Sequence, residues 1–238
     1  VEGIDAAHKL VILASLAFAM PLQYDNVFTE GISKVETKDI EVADKLGYRI
    51  KHIGIARLIG DAVELRVHPT LIPKKRLIAN VNGVMNAVLV SGDAVGPTLY
   101  YGPGAGAEPT ASSVIADIVD IVRHIHTGAS SFIPALGFED VADKPIISID
   151  DIETSYYLRL VVDDKPGVLS QLTTALSDVS IGLEAIHQEE PEDGELCAEI
   201  VLLTDKTVES NLLKALSKIE SLGCVQGDVK KIRVETLG

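Results

Sequence analysis

Asp5 and Lys9 stand four residues apart in Gly3-Ile4-Asp5-Ala6-Ala7-His8-Lys9-Leu10, so a helix there projects both side chains from one face. Two readings are open. One is an ordinary i,i+4 ion pair with Asp5 complementing the helix start. The other is a carboxylate that holds a substrate beside a lysine that moves a proton, since burial lowers a lysine's pKa toward the working range. Lys9 opens an otherwise apolar run, where a stray charge is costly.

A second candidate site lies in Tyr-Tyr-Leu-Arg-Leu-Val-Val-Asp-Asp-Lys-Pro-Gly-Val-Leu, residues 156–169, which reads as a strand, a corner and the start of an amphipathic helix. Pro166 cannot donate to a strand ladder and sets the turn, and Gly167 allows a positive φ or a close backbone approach. The free N–H groups that open the helix suit a carboxylate, so the corner can hold an amino acid. Gly182, before the next strand, is a second glycine of this kind. For either glycine, plain turn geometry is the commoner reason.

A third candidate is Gly102-Pro103-Gly104-Ala105-Gly106, between a strand and a helix, the place for a phosphate or dinucleotide loop. No acidic residue sits at a strand end about twenty residues on, as a Rossmann ribose site wants. The loop therefore does not head a Rossmann unit, though its bare backbone could border a cofactor held elsewhere. His8, His52, His68, His124, His126 and His187 show no metal-ligand spacing, and no nucleophile elbow is present.

The elements that must position these groups follow from periodicity. Residues 4–19 predict a helix apolar on nearly every face beyond Lys9, hence a buried one. A short segment at 27–32, a helix at 37–46 and paired strands at 49–58 and 62–68 follow, joined by a Gly60-Asp61 turn. Strands are expected at 80–91 and 97–101, then a long helix at 109–126. Residues 127–154, with Gly, Ser, Pro and acidic side chains, read as a linker. Beyond it come strand 156–162, helix 168–177, strand 182–189, a turn at 191–194, strand 197–204, helix 207–222 and strand 229–236. That is βαββαβ, a ferredoxin-like sandwich.

The 238 residues carry a net charge of −14 and are 47% hydrophobic, enough for two cored domains. The negative balance argues against nucleic acid, and Lys74-Lys75-Arg76 is a solvated loop or a local anion contact. The apolar run at 10–21 is too short to cross a bilayer. Cys197 and Cys224, far apart in apolar contexts, read as buried free thiols of a cytoplasmic protein.

With these residues in hand, the chain resembles homoserine dehydrogenase. The residues that carry the resemblance are the Asp5–Lys9 helix, Glu30-Gly31-Ile32, and Tyr101-Gly102-Pro103-Gly104-Ala105-Gly106 with Pro109-Thr110-Ala111. The tail from Tyr156 resembles the ACT regulatory domain of many bacterial members. The resemblance implies an α+β fold, with a mixed-sheet catalytic and dimerisation domain at 1–130, a linker at 131–154 and the ACT domain at 155–238. It implies Lys9 as the proton donor and acceptor, Asp5 on the homoserine side of the site, and Gly102, Gly104 and Gly106 against the nicotinamide end of NADP or NAD. The substrates implied are L-homoserine and L-aspartate 4-semialdehyde, with a threonine-like effector at Gly167 and Gly182 and a homodimer or larger oligomer. The family's nucleotide-binding domain would precede residue 1, and the chain begins Val-Glu-Gly. It is expected to be a fragment, inactive alone, with an apolar face on the 112–126 helix. An amino-acid-binding regulator and a dimerisation module are the other classes this sequence allows.

Overall fold

The computed structural model describes residues 1–127, 138, 140–189 and 197–237. They form two compact units, Val1–Pro73 with Ala142–Gly238, and Lys74–Val141.

The first unit is built on one mixed sheet. Helix α1 (Ile4–Phe18) leads to the short strand β1 (Phe28–Thr29), helix α2 (Thr37–Lys45), and the long strands β2 (Tyr48–Ile59) and β3 (Ala62–Pro73). After the second unit come β6 (Glu153–Asp163), α4 (Val168–Ser177), β7 (Leu183–Glu189), β8 (Cys197–Thr204), β9 (Thr207–Val208), α5 (Glu209–Glu220) and β10 (Val225–Val234). The order β10-β6-β8-β7, all antiparallel, is the ferredoxin-like arrangement that the βαββαβ pattern predicts. β2 runs antiparallel along the whole of β3. The other edge of β3 is shared, with β1 pairing at Arg66 and Val67 and β10 at Thr70 and Leu71, both parallel. The sheet is therefore continuous from the N-terminal elements into the C-terminal sandwich.

Alternation along the strands sorts side chains onto two faces. Tyr156, Leu158, Leu160 and Val162 of β6 pack under α4 and α5 with Leu172, Leu176, Leu212 and Ile219. Tyr157 of β6 and Ile232 and Val234 of β10 point the other way, against Val42 and Ala43 of α2. α1 lies over Val63, Leu65 and Val67 of β3 through Ala7, Leu10 and Ala14.

Several expectations need correction. α1 is not buried all round: Ile4, Ile12, Leu13 and Leu16 are exposed, because the sheet covers only the face of Ala7, Leu10, Val11 and Ala14. The helix expected from residue 207 begins at Glu209, since Thr207 and Val208 pair with β6. The strand expected from residue 229 begins at Val225, because a bulge between Gln226 and Lys230, with Gly227 at φ +71°, reads in sequence as a turn. Of the residues read as a linker, Pro145 and Ile147 hydrogen-bond Val63 at 2.9 Å, and Ile149–Asp151 forms a 3-10 turn capped by Ser148. The turn at 191–194 and residues 131–137 lie outside the described residues.

Among its described residues the second unit holds the hairpin β4 (Met85–Gly92) and β5 (Gly96–Pro103) and the 21-residue helix α3 (Ala107–Thr127). The strand expected from residue 80 starts at Met85, after a 3-10 turn at Leu77–Asn80. α3 exposes Val114, Ile115, Ile118, Ile121 and Ile125. Among the described residues no helix is long and apolar enough to cross a membrane.

Candidate functional site

α1 starts at Gly3, whose φ of +85° forms a left-handed cap that glycine adopts without strain. Close contact adds a second demand, since a Cβ on Gly3 would lie 2.9 Å from His52 Cε1 and 3.0 Å from Thr29 Cγ2. From this wedged start the helix carries Asp5 and Lys9 outward. Lys9 Nζ donates to Asp5 Oδ2 at 2.7 Å, with both side chains mostly exposed. The bond and charge of Lys9 hold the Asp5 carboxyl below its usual range. The helix positions that follow Lys9 on the exposed face are Ile12, Leu13 and Leu16. The pair is thus the polar end of an apolar stripe, beside His8, whose ring lies 4.2 Å from that of Tyr24.

Gly167 caps α4 with φ +92° and no side-chain cap, so its role as a left-handed corner is real. A Cβ there would meet nothing within 4 Å. The corner borders a cleft of about 210 Å³ lined in part by Asp163, Asp164, Lys165, Gly167, Leu169 and Gln188. Asp163 is held below the usual carboxylate range by bonds from Lys165 at 2.8 Å and Gln226 at 2.9 Å, and it raises Lys165 in return. Gly182 does not line that cleft; a Cβ on it would collide with the Asp205 carboxylate. Gly182 therefore has a packing reason of its own.

The glycine loop belongs to the second unit. Gly104 N donates to Val84 O at 3.2 Å, and a Cβ on Gly104 would overlap the Asn86 amide. Gly106 sits at φ +134° against Pro109, while Gly102 has open space where a Cβ would go. Among the described residues no group of three His, Cys, Asp or Glu could hold a metal ion. Cys197 and Cys224 are free thiols, half-buried instead of buried.

The pairings of the polar interior are not legible in the local sequence pattern. On the face of β3 opposite α1, Glu64, Arg66, His68 and Thr70 are all buried. Arg66 bonds Glu64, His68 and Glu235, and Arg57 reaches Glu64 at 3.2 Å. Arg233 of β10, 2% exposed, donates to Glu209 through Nε at 2.7 Å and through Nη2, and to Glu30 Oε2 through Nη1 at 2.7 Å. Burial works to raise the Glu209 carboxyl, but the bonds from Arg233 and Lys231 outweigh it and leave it lowered. Arg159 of β6 joins Asp39 and Glu36 of the α2 start to Glu199 of β8. The signal was present as single charges inside apolar strands, Leu-Arg-Leu, Leu-Arg-Val and Ile-Arg-Val. A charge flanked by core residues on a central strand demands a buried partner.

The match to known proteins covers the whole chain. Residues 1–119 match the family model for homoserine dehydrogenase, and residues 156–224 match that for the ACT domain. A homoserine dehydrogenase of Pseudomonas aeruginosa is 54% identical over 100% of this chain and 55% of its own length. One of Neisseria gonorrhoeae is 48% identical with the same coverage. The crystal structure of a homoserine dehydrogenase from Thiobacillus denitrificans superposes with a TM-score of 0.92 at 53% identity, covering 100% of this chain and 54% of that one. The chain thus spans about half the length of the relatives it matches, and within that span it belongs to the homoserine dehydrogenase family.

Proposed function

We propose that this chain forms the substrate-binding and regulatory part of an NAD(P)-dependent homoserine dehydrogenase, interconverting L-homoserine and L-aspartate 4-semialdehyde. Residues 1–130 serve the substrate and dimerisation, and residues 155–238 serve regulation. The observation that carries the reading is the Asp5–Lys9 pair at 2.7 Å, at the end of an exposed apolar stripe on a helix otherwise packed onto the sheet. In the oxidation, the neutral form of Lys9 takes the hydroxyl proton of homoserine on Nζ as the carbinol C–H bond breaks and the carbonyl forms; in the reduction the protonated form returns that proton. Asp5 orients the substrate and the lysine from the same face. Ile12, Leu13 and Leu16 give the surface beside Lys9 the apolar character needed to exclude water. The nicotinamide, when bound, supplies the hydride acceptor or donor. Gly102 fits a flat ring lying against the loop, having open space at its Cα, whereas Gly104 uses its lack of a Cβ to seat Asn86.

A threonine-like amino acid is the effector proposed for the Gly167 corner, whose uncapped helix start and Lys165–Asp163 pair suit an amino-acid zwitterion. The compartment proposed is the cytoplasm, in keeping with two free thiols. A second reading, an amino-acid-binding regulator in which Lys9 is idle, is favoured by the same corner. The substitution Lys9→Ala, made in this chain fused to the remainder of the Pseudomonas relative, separates the two. Turnover is expected to fall about 10²–10⁴-fold with the circular dichroism spectrum unchanged. Turnover within a few-fold of the parent would remove the catalytic assignment.

A further inference from the structure

The geometry points to Arg233, on the last strand, as a positioning residue for the helix that carries Asp5 and Lys9, and we propose that it acts through Glu30. The inference deepens the reading above, since it concerns the placement of Lys9.

Glu30 stands where β1 ends, and its two polar ends serve opposite faces of the sheet. Its backbone N donates to Val67 O at 2.8 Å, which continues the β1–β3 ladder. Its carboxylate accepts from Arg233 Nη1 at 2.7 Å, on the face shared by α5. Its carbonyl lies 3.0 Å from His52 Nε2, and because a carbonyl only accepts, His52 is the donor. That histidine ring is the surface against which Gly3, the cap of α1, is wedged. The next residue, Gly31, packs on Val1 and Glu2 so closely that a Cβ would lie 2.9 Å from Val1 O. Ile32 N donates to the same Val1 O at 3.1 Å. Residues 30–32 thus clamp the lead-in and first turn of α1 along three successive positions.

Arg233 fixes the position of that clamp. Each of its three guanidinium nitrogens donates, Nε and Nη2 to Glu209 and Nη1 to Glu30, with its Cζ 4.8 Å above the Phe28 ring of β1. Glu209, 3% exposed, also accepts from Lys231 at 2.6 Å and from the Tyr156 hydroxyl at 3.1 Å, so the anchor is itself anchored. Two cations and two carboxylates balance in the cluster. A planar fork that meets two acceptors has no equivalent in lysine. Displacing Glu30 by a fraction of an ångström would tilt the start of α1, and proton transfer from a misplaced lysine is slow.

The test uses the full 238-residue chain, as parent, Glu30→Gln and Arg233→Lys, with amide hydrogen exchange resolved over residues 4–9 and over α2 as control. Glu30→Gln leaves the Arg233–Glu209 bonds in place, so it removes the clamp's charge with little effect on the core. Exchange in the first turns of α1 is expected to rise about tenfold in both variants while α2 is unchanged. In the fusion with the Pseudomonas relative, kcat should fall about tenfold with KM held within about twofold. Unchanged exchange at α1, or equal acceleration at α1 and α2, would overturn the proposal. The exchange result stands whether or not Lys9→Ala abolishes turnover, so failure of the catalytic reading and failure of this one are distinguishable.

Discussion

At the scale of single residues, the buried polar groups respond to conditions in ways that can be measured. His68 accepts from Arg66 at Nε2, so it is neutral with its proton on Nδ1, which faces Pro69 O at 3.0 Å. Burial, then the charges of Arg233 and Arg66, push its pKa well below the ordinary 6.5, with His52 adding to the same effect. In the unfolded chain His68 takes up a proton near pH 6.5, and in the folded chain it does not, so the unfolded state binds more protons as pH falls. Stability from this group is complete above that pH and is lost progressively as pH falls below it toward the lowered folded value. The urea midpoint is expected to fall between pH 7.5 and 5.5 by more in the parent than in His68→Gln; equal slopes would assign the loss to other groups. Gly167 makes a different demand. Its φ of +92° strains any other residue, so Gly167→Ala should cost about 1 kcal/mol of stability while leaving the open cleft accessible. Gly167→Asp adds a carboxylate at the effector corner, and calorimetric titration with L-threonine is expected to show a loss of affinity larger than the loss of stability.

At the scale of elements, what was legible in the sequence was whatever a local signal decides. Both ends of α4 are legible because Pro166-Gly167 breaks the strand before it and an amphipathic period runs until Ser177. The turn of the β2–β3 hairpin is legible in Gly60-Asp61, which joins Ile59 to Ala62, whereas β3 runs five residues past the expected end, to Pro73. The i,i+4 spacing of Asp5 and Lys9 is enough to place the two side chains together, and they form an exposed ion pair. The rest depends on partners far along the chain. Nothing local says that Arg159 lies under α2, 120 residues away from Asp39, or that Glu30 meets Arg233 across 203. The cost of such pairing gives a test. Asp39, 1% exposed, binds Arg159 Nε at 2.6 Å, accepts from Tyr157 at 3.3 Å and caps α2 through Glu36 N at 2.9 Å. Burial works to lower Arg159, yet its bonds to Asp39 and Glu36 outweigh this and raise it. Arg159→Met leaves a carboxylate buried without its cation, and should destabilise by about 3–5 kcal/mol. Adding Asp39→Asn, which keeps the cap but removes the stranded charge, should restore a large part in the same denaturation assay.

At the scale of the molecule, the covalent order of family regions and the order of packing differ. The match to the ACT model ends at Cys224, yet the strand that follows, β10, joins the sandwich to β3 and lends Ile232 and Val234 to the core under α2. A ferredoxin-like sheet standing alone would leave Tyr157, Val201, Leu203, Ile232 and Val234 in water; here Val42, Ala43 and Leu71 of the N-terminal elements cover them. Burying that face is worth on the order of 1.5–3 kcal/mol per large side chain, which ties the two regions into one cooperative structure. The hairpin β4–β5 with α3 is in the opposite situation. Two strands and one helix whose apolar residues are largely exposed hold little core of their own. Native-state hydrogen exchange should therefore divide the chain by packing, not by family. Amides of β3, β6 and β10 are expected to share one high opening free energy, falling together with added urea, while those of β4 and β5 exchange at much lower cost. If β6 and β10 instead open separately from β3, the sandwich is an independent body, and the route from Arg233 to the α1 clamp loses the rigid sheet it needs.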